Sequence, residues 1–136
     1  MVVGTSSGDE PQVRYVLLKE LKAEQFVFYT SYTSAKGKQL EANPRIQLLF
    51  FWPLSQRQIR ISGIARKIER KESIVYFDTR PLESRISAIA SPQSQRIEIE
   101  ELLQRVEKVE KQNEKPCPEH WGGYAVSPNY FEFWQG

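Results

Sequence analysis

The sequence predicts a mainly β protein, an antiparallel barrel with helices inserted between its strands. Three observations predict it. About seven short runs rich in β-branched and aromatic residues are separated by turn clusters. One of them, Gln58 to Ile68, is long and changes phase midway, as strands do where a sheet must curl. Helical patterns occupy only three or four segments between the strands. All 136 residues, 1–136, are expected to form a single domain.

Met1 to Thr5 reads as a strand and Ser6-Ser-Gly-Asp-Glu-Pro11 as a turn. Val13 to Leu18 resumes as a strand, so the two predict a hairpin. Phe26-Val-Phe-Tyr-Thr30 is a third strand. Ser34 is placed to cap a short helix running to about Ala42, which Asn43-Pro44 ends. Arg45 to Trp52 is the most apolar strand and is expected to be the most buried. Within Gln58 to Ile68, Ile59 and Ile61 hold odd positions, while Ile64 and Ile68 hold even ones. A bulge at Gly63 would return the apolar side to the core.

Lys71 to Thr79 and Pro81 to Ala90 predict two short helices meeting at Arg80-Pro81. Proline suits a first helical turn and pushes the preceding residue out of helical geometry. Ile97 to Gln112 predicts an amphipathic helix with Ile99, Leu102, Leu103, Val106 and Val109 on one stripe. That stripe suits core or partner packing. Gly123 to Ser127 and Tyr130 to Trp134 predict a second hairpin.

The bulk numbers exclude several classes. A net charge of +2, with Lys and Arg spread along the chain, gives no footprint for nucleic acid or for a membrane surface. No apolar run is long enough to span a bilayer. Met1-Val-Val-Gly-Thr has neither the basic nor the apolar region of a signal peptide. With a single cysteine, Cys117, this fits a cytoplasmic location. Cys117 and His120 share a Pro-rich loop with no orienting acid, so the expectation is a loop thiol near a surface imidazole. No paired His or Cys spacing offers a metal site. No P-loop, Gly-x-Gly-x-x-Gly turn or Gly-x-Ser-x-Gly elbow is present.

The chemistry that remains is anion binding beside aromatic surface. Pro81 opens a helix whose first N–H groups are free, a ready anion site. Arg80 adds a fork of donors, Ser84 a hydroxyl from the same turn, and Tyr76 a phenol one turn earlier. The alternative is Arg80 paired with Glu83 on the surface. Arg14 and Lys19 bracket Tyr15-Val16-Leu17-Leu18 and point to opposite faces if that strand is regular. Lys36 sits at a helix start. Gln58, Gln93 and Ser94 carry groups that hydrogen-bond a heteroaromatic edge. Tyr29 and Trp134 offer flat apolar surface, as ligand platforms or as core. No catalytic acid or base is evident, and a cofactor that carries its own chemistry needs none.

Arg14-Tyr-Val-Leu-Leu-Lys19, Phe28-Tyr-Thr30, Asn43-Pro-Arg45, Arg57-Gln58, Tyr76-Phe77, Arg80-Pro81, Ser84, Gln93-Ser94, Trp121-Gly-Gly123 and Glu132-Phe-Trp-Gln-Gly136 stand in an order that resembles the pyridoxamine 5′-phosphate oxidase family over nearly the whole chain. The resemblance implies an FMN-binding split β-barrel, a homodimer with FMN at the interface. It implies FMN contacts from Arg14, Tyr15, Val16, Leu17, Leu18, Lys19, Tyr29, Thr30, Lys36, Gln58, Gln93, Ser94 and Trp134. It implies a grip on the substrate phosphate by Lys19, Tyr76, Arg80 and Ser84. The implied reaction oxidises pyridoxamine or pyridoxine 5′-phosphate to pyridoxal 5′-phosphate, with molecular oxygen reoxidising the flavin.

Two departures qualify the resemblance. Ala35 stands where the family usually has an arginine. The family's N-terminal extension and its Arg-Leu-His-Asp-Arg segment after Phe-Trp-Gln-Gly are not among these residues. A chain ending at Gly136 is expected to bind FMN more weakly and to turn over poorly. The alternatives are a non-catalytic FMN or pyridoxal-phosphate binding protein on the same fold, or a related flavin oxidoreductase such as one of phenazine formation. The Tyr76, Arg80 and Ser84 set speaks against the last.

Overall fold

A computed structural model describes residues 1–136. Seven strands form one antiparallel sheet: β1 (Val2–Ser7), β2 (Glu10–Tyr15), β3 (Glu20–Lys22), β4 (Gln25–Ser31), β5 (Arg45–Trp52), β6 (Arg57–Lys67) and β7 (Trp121–Gln135). Four helices are inserted: α1 (Ala35–Ala42), α2 (Arg70–Asp78), α3 (Leu82–Ala90) and α4 (Ile99–Glu110). The strand order is β2-β1-β5-β6-β7-β4-β3.

The two edges of this sheet are consecutive in the chain. β2 ends at Tyr15 and β3 starts at Glu20. Five residues of chain span at most about 18 Å, so the sheet must curl until its edges nearly meet. The linker is tied on both sides: Val16 N–H donates to Met1 O and Lys19 N–H to Val27 O, each at 2.9 Å. The result is a split barrel. Its core holds Val3, Phe28, Leu40, Ile46, Leu48, Ile61, Ala65, Tyr124 and Val126.

The strand count is as expected, but its makeup differs. The second expected hairpin is one continuous strand, β7, because Pro128 and Asn129 sit in a bulge instead of a turn. Ser62 pairs with Tyr130 and Gly63 with Pro128, so the extra residue, Asn129, belongs to β7 and not to Gly63's strand. Strand β3 was not anticipated. The strand expected to reach Leu18 stops at Tyr15 as the chain leaves the sheet edge. The turn after β1 shrinks to Gly8-Asp9, where Gly8 takes φ +74.

Strand β5 is less buried than its composition suggests. Only Ile46 and Leu48 are buried, while Phe51 and Trp52 are exposed. Ser34 caps α1 as expected, accepting from Gly37 N–H at 3.2 Å. Pro81 is the cap of α3 and not its first helical residue. Of the stripe on α4, Val109 is buried against Ile86 and Ala90, while Ile99 and Leu103 stay exposed. Cys117 is a loop thiol as expected, buried against Phe77 and Trp121.

Candidate functional site

A cleft of about 910 Å³ opens between the β2–β3 linker, β4, α1 and the α2–α3 junction. Four cationic side chains line it: Arg14, Lys19, Lys36 and Arg80. No Asp or Glu lines it, and none of the four cations is in an ion pair. A cleft so lined carries uncompensated positive charge and selects an anion.

Lys36 shows how this charge is held. It lies on the first turn of α1 and is buried. Its Nζ donates to Thr30 Oγ1 at 2.9 Å and to Gln93 Oε1 at 3.2 Å. Burial, with the nearby Arg14 charge, pulls its ammonium down to about 8. Arg14, on β2, donates to Thr5 Oγ1 and, at 3.3 Å, to Gln39 Oε1. Burial lowers its guanidinium below the ordinary arginine range.

Gln39 was missed by sequence reasoning. It is buried on α1 and accepts from Thr5 Oγ1 at 2.6 Å as well as from Arg14. Helical spacing places it on the same face as Lys36, three residues earlier, and that was the available signal.

The second cationic group is Arg80, with Tyr76 from α2 and Ser84 from the first turn of α3. Arg80 makes no pair with Glu83. Its guanidinium lies over the Trp121 ring at 4.7 Å, and its Nη1 is buried with no hydrogen-bond partner. A buried, unspent donor is costly unless a ligand accepts from it. Burial also lowers this guanidinium. Between the cations lies aromatic surface: Tyr29 stacks on Tyr76 at 3.9 Å and on Trp121 at 5.3 Å. Burial pushes the Tyr29 phenol up to about 12, so it is a donor near neutrality and not a base. Ser94, at the rim, holds φ +67, a conformation that costs energy for a non-glycine residue.

A profile of the pyridoxamine 5′-phosphate oxidase family matches residues 1–113. The chain belongs to this family. It is 48% identical to a pyridoxine/pyridoxamine 5′-phosphate oxidase of Pseudomonas paraeruginosa and 49% identical to one of Leptospira interrogans. Each match covers 100% of this chain and 66% of the relative. The chain thus spans about two thirds of the length of these relatives. Among solved structures it is similar to PhzG from Burkholderia lata in complex with tetrahydrophenazine-1-carboxylic acid. The TM-score there is 0.92 at 25% identity, over 98% of this chain and 68% of that one. It also shares the fold of a pyridoxamine 5′-phosphate oxidase-related, FMN binding protein from Nostoc punctiforme, with a TM-score of 0.82 at 16% identity, over 98% and 73% of the chains.

The cleft gathers most of the residues that the family resemblance singles out. Arg14, Tyr15, Val16, Leu17, Lys19, Tyr29, Thr30, Lys36, Tyr76, Arg80, Ser84, Gln93 and Ser94 all line it. Leu18 lies beside it without lining it. Gln58 and Trp134 are not brought there. They line a separate cavity of about 510 Å³ with Trp52 and Phe133, on strands β5, β6 and β7. Trp52 and Phe133 lie on one side of the sheet and Phe51 and Trp134 on the other, all exposed, so the apolar surface there wraps the end of β5, β6 and β7. Ala35 lines the cleft where the family usually has an arginine, so the cations on that side of it are Arg14 and Lys36.

Proposed function

We propose that this chain binds FMN and oxidises pyridoxamine or pyridoxine 5′-phosphate to pyridoxal 5′-phosphate. The observation that carries this reading is the acid-free cleft, with two separate cationic groups flanking stacked aromatics. Two groups suit two phosphates, one of the cofactor and one of the substrate.

The residues fit FMN. Lys36, Arg14 and Thr30 would hold its phosphate, and the amide of Gln93 with the hydroxyl of Ser94 would meet polar atoms of the ring system. FMN, when bound, supplies the hydride acceptor, which molecular oxygen reoxidises. Arg80, Tyr76, Ser84 and Lys19 bind the substrate phosphate and so fix where the substrate ring lies. No carboxylate or histidine lines the cleft, so the chain's own contribution is charge, orientation and exclusion of water.

Gln58 and Trp134 reach the cofactor only if a second copy supplies them. We therefore infer a homodimer in which the exposed aromatic end of the sheet, around Trp52, Phe133 and Trp134, is buried and FMN lies at the interface. A shared face of this kind suits a twofold pair. The retained Tyr76, Arg80 and Ser84 favour a phosphorylated substrate over a tricyclic carboxylate of the kind held by the Burkholderia lata protein.

The test is a titration of the purified chain with FMN, followed by flavin fluorescence. Saturable quenching at one FMN per chain, then peroxide release on adding pyridoxamine 5′-phosphate, supports the proposal. Absence of quenching by the folded protein overturns it.

A further inference from the structure

Arg80 is the only cleft cation whose guanidinium rests on aromatic faces. Its central carbon lies 4.7 Å from the Trp121 ring centroid and 5.6 Å from that of Phe77. It makes no salt bridge and has a buried, unpartnered Nη1. What orients this side chain is therefore the indole plane and not a carboxylate. A carboxylate partner would neutralise the charge and occupy the donors that a phosphate needs. An aromatic face fixes the plane of the guanidinium and leaves its N–H groups free.

Trp121 is itself held by four residues, one at its backbone carbonyl and three at its ring. Arg70, at the start of α2, donates from Nη1 to Trp121 O at 2.7 Å and from Nη2 to Cys117 O at 2.6 Å. Phe77 packs its edge on the indole at 5.0 Å and 71°. Tyr29 stacks beside it at 5.3 Å and 13°. The Tyr76 ring is parallel to it within 3° at 6.3 Å. Trp121 is 5% exposed, so the indole is packed on nearly all sides.

We propose that Trp121 is a positioning residue for the substrate phosphate: its indole carries the Arg80 guanidinium in the orientation that receives the anion. Arg70 anchors the Trp121 backbone, and Phe77 packs the indole in place for this purpose. The inference rests on the reading of Arg80, Tyr76 and Ser84 as the substrate-phosphate site, and it adds a residue that makes no phosphate contact of its own. It also accounts for the absence of acid near Arg80, since the aromatic support replaces an ion pair.

The experiment compares affinities for pyridoxal 5′-phosphate and for pyridoxal, by calorimetry on the FMN-saturated full chain. The ratio of the two isolates the phosphate grip, whereas a general packing defect changes both affinities alike. Trp121→Leu keeps an apolar side chain, though a smaller one, and removes the π face. It should lower the ratio roughly 3- to 30-fold, the range of a cation–π contact, with pyridoxal and FMN affinities near wild type. Arg80→Lys keeps the charge without the flat fork and should lower the ratio severalfold. If Trp121→Leu does not fold, Trp121→Phe, which trims the indole to a smaller π face, decides, and its ratio should fall by less than in Trp121→Leu. An unchanged ratio in the folded variants, or equal loss of both ligands, overturns the positioning role. A wild-type chain that does not prefer the phosphorylated ligand overturns the site reading itself, and the inference with it.

Discussion

The carboxamide oxygen of Gln93 accepts a hydrogen bond from the buried Lys36 ammonium at 3.2 Å. The same oxygen accepts from Thr30 Oγ1 at 2.9 Å and from Ser31 N–H at 3.3 Å. The loop after α3 is thereby tied to β4 and α1, and the Gln93 amide nitrogen is the end left for a ligand. The cluster collects donors around a charge that no acid balances. Such a cluster is stable enough to fold and better satisfied with an anion present.

Lys36 should give FMN affinity a distinct pH dependence. Its ammonium sits at about 8 in the free protein, and a bound phosphate would raise it. Anion binding then takes up a proton, so affinity is full below pH 8 and falls as pH rises through it. Stability of the free protein runs the other way. The folded group lies below its ordinary 10.5, so the unfolded chain binds more protons in that window and stability rises with pH. Fluorescence titrations and melts from pH 6.5 to 9.5 check both slopes. In Lys36→Met both contributions should vanish, with FMN affinity down roughly ten- to hundredfold for a lost charged hydrogen bond. Parallel slopes in wild type and variant would remove Lys36 from the phosphate site.

Arg80→Ala and Arg14→Ala should separate the two anions. The first should weaken pyridoxal 5′-phosphate binding and leave FMN in place. The second should act mainly on FMN. Gln39→Leu should mimic Arg14→Ala in part, because it releases the guanidinium that its amide holds at 3.3 Å. Calorimetry with each ligand reads these directly. Equal loss of both ligands in Arg80→Ala would mean that the two groups form one site.

Gly122→Ala should destabilise the fold with no direct effect on the cleft cations. A methyl group there would run into the Tyr32 hydroxyl and come within 2.8 Å of Ser73 Oγ. Ser73 is fully buried and accepts from Gly123 N–H at 3.1 Å, so neither neighbour can yield freely. Overpacking of this kind costs about 1–3 kcal/mol, or a fall of roughly 3–12 °C in melting temperature for a chain of this size. A melt within a degree of wild type would show that β7 relaxes more easily than its packing suggests.

Strand β3 was illegible because its turn, Ala23-Glu24, takes φ +48 and +63 without the Asn or Gly that usually announces such a turn. β7 was split in two because Pro128 reads as a breaker, yet the bulge beside it absorbs the missing N–H. The Arg80 group was legible from helix-terminus chemistry, since spacing along one chain segment fixes Tyr76, Arg80 and Ser84 near one another. Gln39 and Trp121 were not placed in the site. They act on Arg14 and Arg80 across 25 and 41 residues of sequence, through packing that no local pattern encodes.

FMN binding and self-association should be linked. Trp134 is 53% exposed and Phe133 73% exposed, on opposite sides of β7 at an end face of the sheet that the cleft does not include. If a second copy covers that face and brings the partner's Trp134 to the flavin, then FMN must tighten the dimer, and dimerisation must tighten FMN by the same factor. Sedimentation equilibrium with and without FMN measures the first, and titrations across a hundredfold range of protein concentration measure the second. Trp134→Ala should weaken both together, while leaving the Lys36 pH dependence intact. FMN affinity that stays constant as the protein passes from monomer to dimer would show that each chain binds flavin alone, and Gln58 and Trp134 would then lie outside the cofactor site.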